Sequence, residues 1–445
     1  MAKYELDLVN GSIFKNIFIF SIPLIFSNIL QSLFNIVDVS IVGHFAGAYA
    51  IGAVGSTTQF IWFFTGLISG IASAGNVMVA YYVGAKSKKD VEQVVFNSFI
   101  VCITTGIFLM FLGSLISKPV LILMKTKSEL ISDATIYFRI YMLGLPAVAI
   151  YNFGNCVLSA VGDTKRPVIY LSIAGILNII LDFVTVYFLK WGVAGVAFAS
   201  SFAQWVSAFL ILIATLKGVG DVKLILKNQT LSREKILRIV KIGLPAGLQC
   251  CIFSVANMFI QSCVNSFDAF TVSGCAAADK ADGIAYNILF AFYAAGAAFI
   301  GQNYGAKKKD RIIKSYLISI GYALFFAILY GILIFVFGPQ FLSIFTKDIN
   351  VIDAGMTRLK IMAFSYWISV FMDGTISASR GLGKTSVPTV IVILGSCVFR
   401  LIWIYTVFAL VKTIPSLFLL YPFSWIVTAV AEIIYFVKIY RKIEM

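Results

Sequence analysis

Long apolar runs, separated by short polar connections, repeat along the whole chain. They lie near residues 17–43, 52–83, 92–117, 132–161, 167–189, 193–216, 236–264, 273–304, 312–337, 352–379, 386–410 and 415–437. Each is far longer than a buried strand and matches the roughly 20 residues needed for one helical membrane crossing. The pattern predicts an all-α integral membrane protein with twelve transmembrane helices. The longest polar connection runs from Lys217 to Lys241 and divides the helices six and six. It contains Asn228-Gln229-Thr230-Leu231-Ser232-Arg233-Glu234, an N-cap signal ahead of a basic amphipathic helix start. Two six-helix lobes, 1–222 and 223–445, are therefore expected.

The two halves repeat one another. Gly84-Ala85-Lys86 returns as Gly305-Ala306-Lys307, and Gly162-x-Thr164-x-x-Pro167 as Gly383-x-Thr385-x-x-Pro388, both at an offset of 221. Pro23 and Pro245, each in the first span of its half, are 222 apart. Small residues and prolines are common at helix ends, so any one match is weak; three matches within one residue of a single offset indicate duplication. An even number of helices per repeat sends the second half in from the same side as the first. The repeats should thus be related by a pseudo-twofold axis along the membrane normal, as parallel lobes with a cavity between them.

Composition supports the membrane reading, with 60% hydrophobic and 12% charged residues and a mean hydropathy of +0.95. The net charge of +15 would suggest nucleic acid as partner in a soluble domain, but its placement excludes that reading. Basic residues crowd alternate connections, such as Lys86, Lys88 and Lys89, or Lys307, Lys308, Lys309, Arg311 and Lys314. Only Lys118, Lys125, Lys127, Lys190, Lys347 and Lys412 fall in the others. The asymmetry puts both termini in the cytoplasm of a multi-pass protein of the plasma membrane. The first apolar stretch is too long for a signal-peptide core and lacks a small-residue cleavage pattern, so it is read as a retained helix. Seven cysteines without a CxxC pair read as small buried hydrophobes, and the single His44 cannot support a His-rich metal site.

Ionisable side chains inside a bilayer cost at least ~2.5–3.5 kcal/mol near a helix centre, so each demands a function or a partner. Asp38, in Ile36-Val37-Asp38-Val39-Ser40, lies four turns beyond Pro23, a residue able to bend the first helix. Asn178 and Asp182, four apart, stack an amide and a carboxylate on one helix face. These oxygens could ligate a hard monovalent cation such as Na⁺ or hold a proton between mutually repelling carboxyls. No basic partner is evident nearby, and a static polar network does not need uncompensated negative charge. The second half offers Asp279, Lys280 and Asp282, with Asp373 and Arg400 in later spans. Both signs are present there, which fits structural ion pairing as well as a substrate path. Asp373 falls 221 after Asn152, whereas Asp38 and Asp182 map onto Ile260 and Trp403, so the acid set is not repeated.

Other motifs fail. Gly383-Lys384-Thr385 imitates the end of a P-loop, but Ala378 stands where its first glycine belongs and no strand precedes it. Gly66-Leu67-Ile68-Ser69-Gly70 and Ala294-Ala295-Gly296-Ala297-Ala298 read as faces that seat a neighbouring helix. The 40 phenylalanines are mostly lipid-facing or core, though aromatics lining a cavity would suit flat cations.

The stretch from Pro23 to Gly43 with Asp38, Gly162-Asp163-Thr164-Lys165-Arg166-Pro167, Asn178-Ile179-Ile180-Leu181-Asp182 and Trp191-Gly192-Val193-Ala194-Gly195 together resemble the multidrug and toxic compound extrusion (MATE) family, in particular its DinF-like bacterial branch. The resemblance implies a V-shaped monomeric antiporter in contact with membrane lipids. It would expel amphipathic, often cationic, organic compounds in exchange for Na⁺ or H⁺, with no other cofactor. It implies an ion site of Asp38, Asn178, Asp182 and Ser200, with Gln31, Tyr137, Asn152, Asn155 and Asp373 as substrate contacts and Pro23 as the bending point. The chain departs from the NorM-like branch, which carries a glutamate in span seven; Gln249 to Ala256 contains no acid. A lipid-linked oligosaccharide flippase would favour extra spans and a strongly cationic cavity. A passive channel or structural membrane protein would not need asymmetric acids, and an intramembrane enzyme would need a nucleophile with a base, or a metal cluster.

Overall fold

The computed structural model describes all residues except 1–5, 46, 47, 124, 125, 127, 221, 228 and 445. Lys125, Lys127 and Asn228 therefore lie outside the described residues. Helices account for every apolar run: α1 Ile13–Phe45, α2 Ala48–Gly84, α3 Lys88–Leu123, α4 Ser128–Met142, α5 Leu145–Ala160, α6 Lys165–Asp182, α7 Val193–Lys217, α8 Arg233–Val264, α9 Ala269–Gly305, α10 Lys309–Ser343, α11 Ile349–Gly381, α12 Ser386–Val392, α13 Phe399–Trp403, α14 Ile414–Phe418 and α15 Leu420–Arg441. Among the described residues, ten helical segments are long and apolar enough to cross a membrane. They become eleven if α4 and α5, bent by 44° where Pro146 opens α5, form one span. The helix α11 has the length but is less apolar, because Ser, Tyr, Thr and Gly residues and Asp373 interrupt its hydrophobic stretch.

Large apolar side chains point outward throughout, among them Leu115 and Leu410, which are 77% and 86% exposed. A water-soluble protein would bury them, whereas lipid is a suitable solvent for them.

The duplication is visible in the backbone. Lys86 and Lys307 both adopt the left-handed conformation, with φ of 56° and 57°, and so do Gly162 and Gly383, at 85° and 73°. Their hydrogen bonds match as well. The Gly162 amide bonds to Ser159 O and the Asp163 amide to Leu158 O; Gly383 bonds to Arg380 O and Lys384 to Ser379 O, each at the same offset. These turns close the preceding helices by satisfying their last carbonyls. A π-helical turn, Phe183–Phe188, follows α6, and another, Ile404–Phe408, stands 221 residues later, after α13.

The chain packs as two compact units whose limits differ from the repeat boundary at 222. Unit 1 comprises residues 1–8 and 26–251, and unit 2 comprises 9–25 and 252–445. Sequence repetition and packing are separate properties, and the first helix of each half shows the difference. The α1 helix passes from unit 2 to unit 1 three residues after Pro23, and α8 passes the other way two turns after Pro245.

In unit 1, Phe64, Phe138, Met142 and Phe153 form the centre of a core between α2, α3, α4 and α5. Glycines bring α2 against the first part of α8. A Cβ on Gly70 would lie 2.2 Å from Gly247 N, and one on Gly243 would lie 2.7 Å from Ile71 Cα. The small-residue stretch Gly66 to Gly70 thus seats a helix, as its spacing implies. In unit 2, Gly296 does the same for α10, since a Cβ there would meet Ser319 Oγ at 2.7 Å.

Candidate functional site

The residues singled out on α1, α6 and α7 converge in unit 1. A glycine makes this possible: a Cβ on Gly175 would sit 1.9 Å from the ring of Phe34, so the ring carried by α1 lies directly against the α6 backbone. One turn beyond Phe34 on α1 is Asp38, and beyond Gly175 on α6 come Asn178 and Asp182. Packing of the Phe34 ring on Gly175 therefore sets α1 beside α6 one to two turns before the acids.

Asp182 is fully buried, Asn178 and Ser200 nearly so, and Asp38 half-buried. Asn178 Nδ2 donates to Asp182 Oδ2 at 3.2 Å, and Ser200 Oγ of α7 donates to Asp38 Oδ2 at 3.3 Å. The Asp38 and Asp182 carboxyls are within hydrogen-bonding reach of one another. Two carboxylates in such contact have no donor between them, so the geometry suits a state in which one carries a proton or a cation neutralises both. The remaining oxygens, Asp38 Oδ1 and Asp182 Oδ1, are buried without a hydrogen-bond partner. Among the described residues no lysine or arginine forms an ion pair with either acid.

The other predicted residues divide. Tyr137 of α4 is buried close enough to feel both carboxylates and stacks on Tyr141 with ring centroids 6.2 Å apart. Asn152 of α5 accepts from Ser69 Oγ at 3.3 Å and donates to Val148 O at 2.9 Å. Asn155, one turn nearer the end of α5, has a buried Oδ1 without a partner. Gln31 is exposed on α1. Asp373 belongs to unit 2, on α11, within the electrostatic range of Arg380 and Arg400.

The remaining second-half charges resolve in different ways. Arg358 of α11 bonds Asp279 Oδ1 at 2.8 Å, Asp282 Oδ2 at 2.5 Å and Cys275 O at 2.7 Å, and lies over the Phe418 ring at 4.6 Å. Tyr366 donates to the other oxygen of Asp282. This is structural ion pairing between α9 and α11. Lys280 is exposed. Two groups escaped the sequence reading. Gly175 carries no signal without knowledge of Phe34, but Glu432, inside an apolar run and fully buried, falls under the same criterion that flagged Asp38.

Fold and site together define a multi-pass helical membrane protein, built by duplication, with an unneutralised acid pair in its first unit. The chain belongs to the MatE family: the family model matches residues 23–184 and again 245–406, two copies at an offset of 222. It is 28% identical over 384 residues to the probable multidrug resistance protein YpnP of Bacillus subtilis, covering 84% of this chain and 85% of that protein. To the probable multidrug resistance protein NorM of Thermotoga maritima it is 25% identical over 411 residues, covering 90% and 86%. A solved structure described as an outward-facing conformation of a multidrug resistance MATE family transporter of the MOP superfamily superposes with a TM-score of 0.90. It covers 98% of this chain and 97% of its own, at 22% identity, which establishes the fold.

Proposed function

We propose that the protein is a secondary antiporter that exports amphipathic, often cationic, organic compounds in exchange for Na⁺ or H⁺, from the plasma membrane with both termini cytoplasmic. The observation that carries this reading is the Asp38–Asp182 pair of unit 1, which has two buried partnerless oxygens and, among the described residues, no ion pair with a lysine or arginine. The names of the relatives support the substrate class. Loading one Na⁺ or H⁺ removes the repulsion by leaving the pair a single net negative charge, whereas an empty pair carries two that repel. The two states favour different positions of α1, which bends near Pro23, and the ion gradient supplies the differential free energy for alternating access. Asn178 and Ser200 complete the ion site, while Tyr137, Asn152, Asn155 and Gln31 are the substrate contacts offered by unit 1, and Asp373 the one offered by unit 2.

Ethidium efflux from proteoliposomes, with Na⁺ and pH gradients imposed separately, tests the reading. Uphill movement in the parental protein and its loss in Asp38→Asn, with equal amounts of folded protein, are expected. Gradient-driven efflux at the parental rate in Asp38→Asn rejects it.

A further inference from the structure

Glu432 of α15 is 0% exposed, and both of its carboxyl oxygens are buried with no hydrogen-bond partner. Among the described residues it forms no ion pair. The hydroxyl of Thr428, one turn earlier on the same helix, is engaged elsewhere: it pairs with Ser396 Oγ at 2.9 Å and donates to Ser424 O at 2.7 Å. Phe436, one turn later, closes the other side against Tyr316 of α10, with centroids 4.7 Å apart.

The charged groups acting on Glu432 are Arg380 and Asp373 of α11. Asp373 in turn faces Tyr293 of α9 and Arg400 of α13. Arg400 is itself buried, held over Tyr421 at 4.5 Å and Phe253 at 5.5 Å, with Nε donating to Ser424 Oγ at 3.3 Å. On its own helix the remaining titratable neighbour is Tyr435. A bare carboxylate with neither a hydrogen bond nor a contacting cation is among the least tolerable groups in a membrane interior. The neutral acid is the form this enclosure accepts. Two guanidinium groups in the same interior disfavour a metal cation, and among the described residues no group of three or more His, Cys, Asp or Glu is placed to hold one.

We propose that Glu432 is a second proton-binding site, confined to unit 2, with Arg380 supplying the counter-charge when the carboxyl is unloaded. Hydronium gives its proton to one carboxylate oxygen and becomes water, and the carboxyl later returns the proton to a water molecule; in each transfer one O–H bond breaks as another forms. The site has no counterpart in the first repeat, where Ile211 stands at the position 221 residues earlier. Its use in transport rests on the antiport reading above, and the test separates the two.

Proton release on ethidium binding is measured with a pH dye in detergent for the parental protein, Glu432→Gln and Asp38→Asn, together with the pH profile of ethidium efflux in proteoliposomes. Glu432→Gln is expected to bind ethidium, release fewer protons per ethidium and shift the efflux profile. Parental proton release and an unchanged profile overturn the proposal and leave the antiport reading standing. Uphill efflux in Asp38→Asn overturns that reading instead. Should Glu432→Gln fail to fold, the parental protein is treated with dicyclohexylcarbodiimide, which modifies protonated carboxyls in apolar surroundings, and mapped by mass spectrometry. Labelling of Glu432 that fades as pH rises supports the site; absent or pH-independent labelling overturns it.

Discussion

Replacing Arg358 by Met should destabilise unit 2 far more than removing either of its acidic partners. The Arg358 side chain is 7% exposed, Asp282 16% and Asp279 65%. Truncation removes the ion pairs and the bond to Cys275 O, and leaves Asp282 with Tyr366 alone. Breaking a buried pair by deleting one partner costs about 3–5 kcal/mol, because the surviving charge is stranded. Asp279→Asn should cost less than about 1 kcal/mol, since its carboxylate is mostly solvated. Asp282→Asn should fall between, because Asp279 still neutralises the arginine. The double variant Arg358→Met with Asp282→Asn should lose less than the sum of its parts, as neither charge is left alone. Residual folded protein after heating, read by size-exclusion chromatography in detergent, gives the ranking. Equal losses for Arg358→Met and Asp279→Asn would refute the assignment of a buried network.

Three further outcomes follow from local geometry. Gly70→Ala forces α2 away from the α8 backbone and should cost about 1–3 kcal/mol or more. Gly55→Ala, where an added Cβ meets nothing within 4 Å, should be neutral; equal thermal stability of the two variants would contradict the close approach. Gly175→Ala drives Phe34 and α1 off α6, so transport should fall while both acids remain. Adding Phe34→Leu should restore part of it, and a lack of rescue would argue that Gly175 does not act through Phe34. Asp268 caps α9 by accepting from Thr271 N at 3.0 Å and Thr271 Oγ1 at 2.7 Å, and these bonds hold its carboxyl below the usual range. A depressed carboxyl contributes stability above its unfolded pKa and loses it as pH falls through the folded one. Asp268→Ala should therefore weaken the protein at neutral pH and be indistinguishable from the parent in strong acid, as thermal unfolding at the two pH values would show.

The repeat was legible because turn chemistry is local. A left-handed turn after a helix leaves Gly, or a tolerated Lys, at fixed positions, and Gly162 and Gly383 declare themselves without any knowledge of packing. The acids were legible because a charge in an apolar run is conspicuous. Their meeting was not, because it depends on how α1 crosses α6, which is set by Phe34 lodged where Gly175 has no Cβ. The limits of the compact units were likewise hidden, because α1 and α8 look uniform along their apolar length although each is divided between two units. Glu432 could have been read directly, but its place in the last span, a few residues from the basic end of the helix, gives it the look of a helix terminus. Its complete burial shows otherwise.

Divergence of the repeats is visible in how two aspartate pairs are treated, one left without an arginine and the other tied down by one. The position of Tyr137 in the first repeat is occupied, 221 residues later, by Arg358. Both side chains are buried beside a pair of aspartates: Asp38 and Asp182 in unit 1, Asp279 and Asp282 in unit 2. A phenol can donate a hydrogen bond but brings no positive charge, so under the antiport proposal the first pair depends on an exchangeable ion for its neutralisation. A guanidinium supplies permanent neutrality and, through its fixed donors, rigidity. The aspartates themselves do not correspond between the repeats, but Tyr137 and Arg358 do, and the charge at that position is what separates the two surroundings. Placing arginine at 137 should give the first pair a permanent counter-charge, leaving the protein folded and gradient-driven efflux lost. If Tyr137→Arg still exported ethidium against its gradient, neutralisation of the Asp38–Asp182 pair could not be the event that couples ion to substrate.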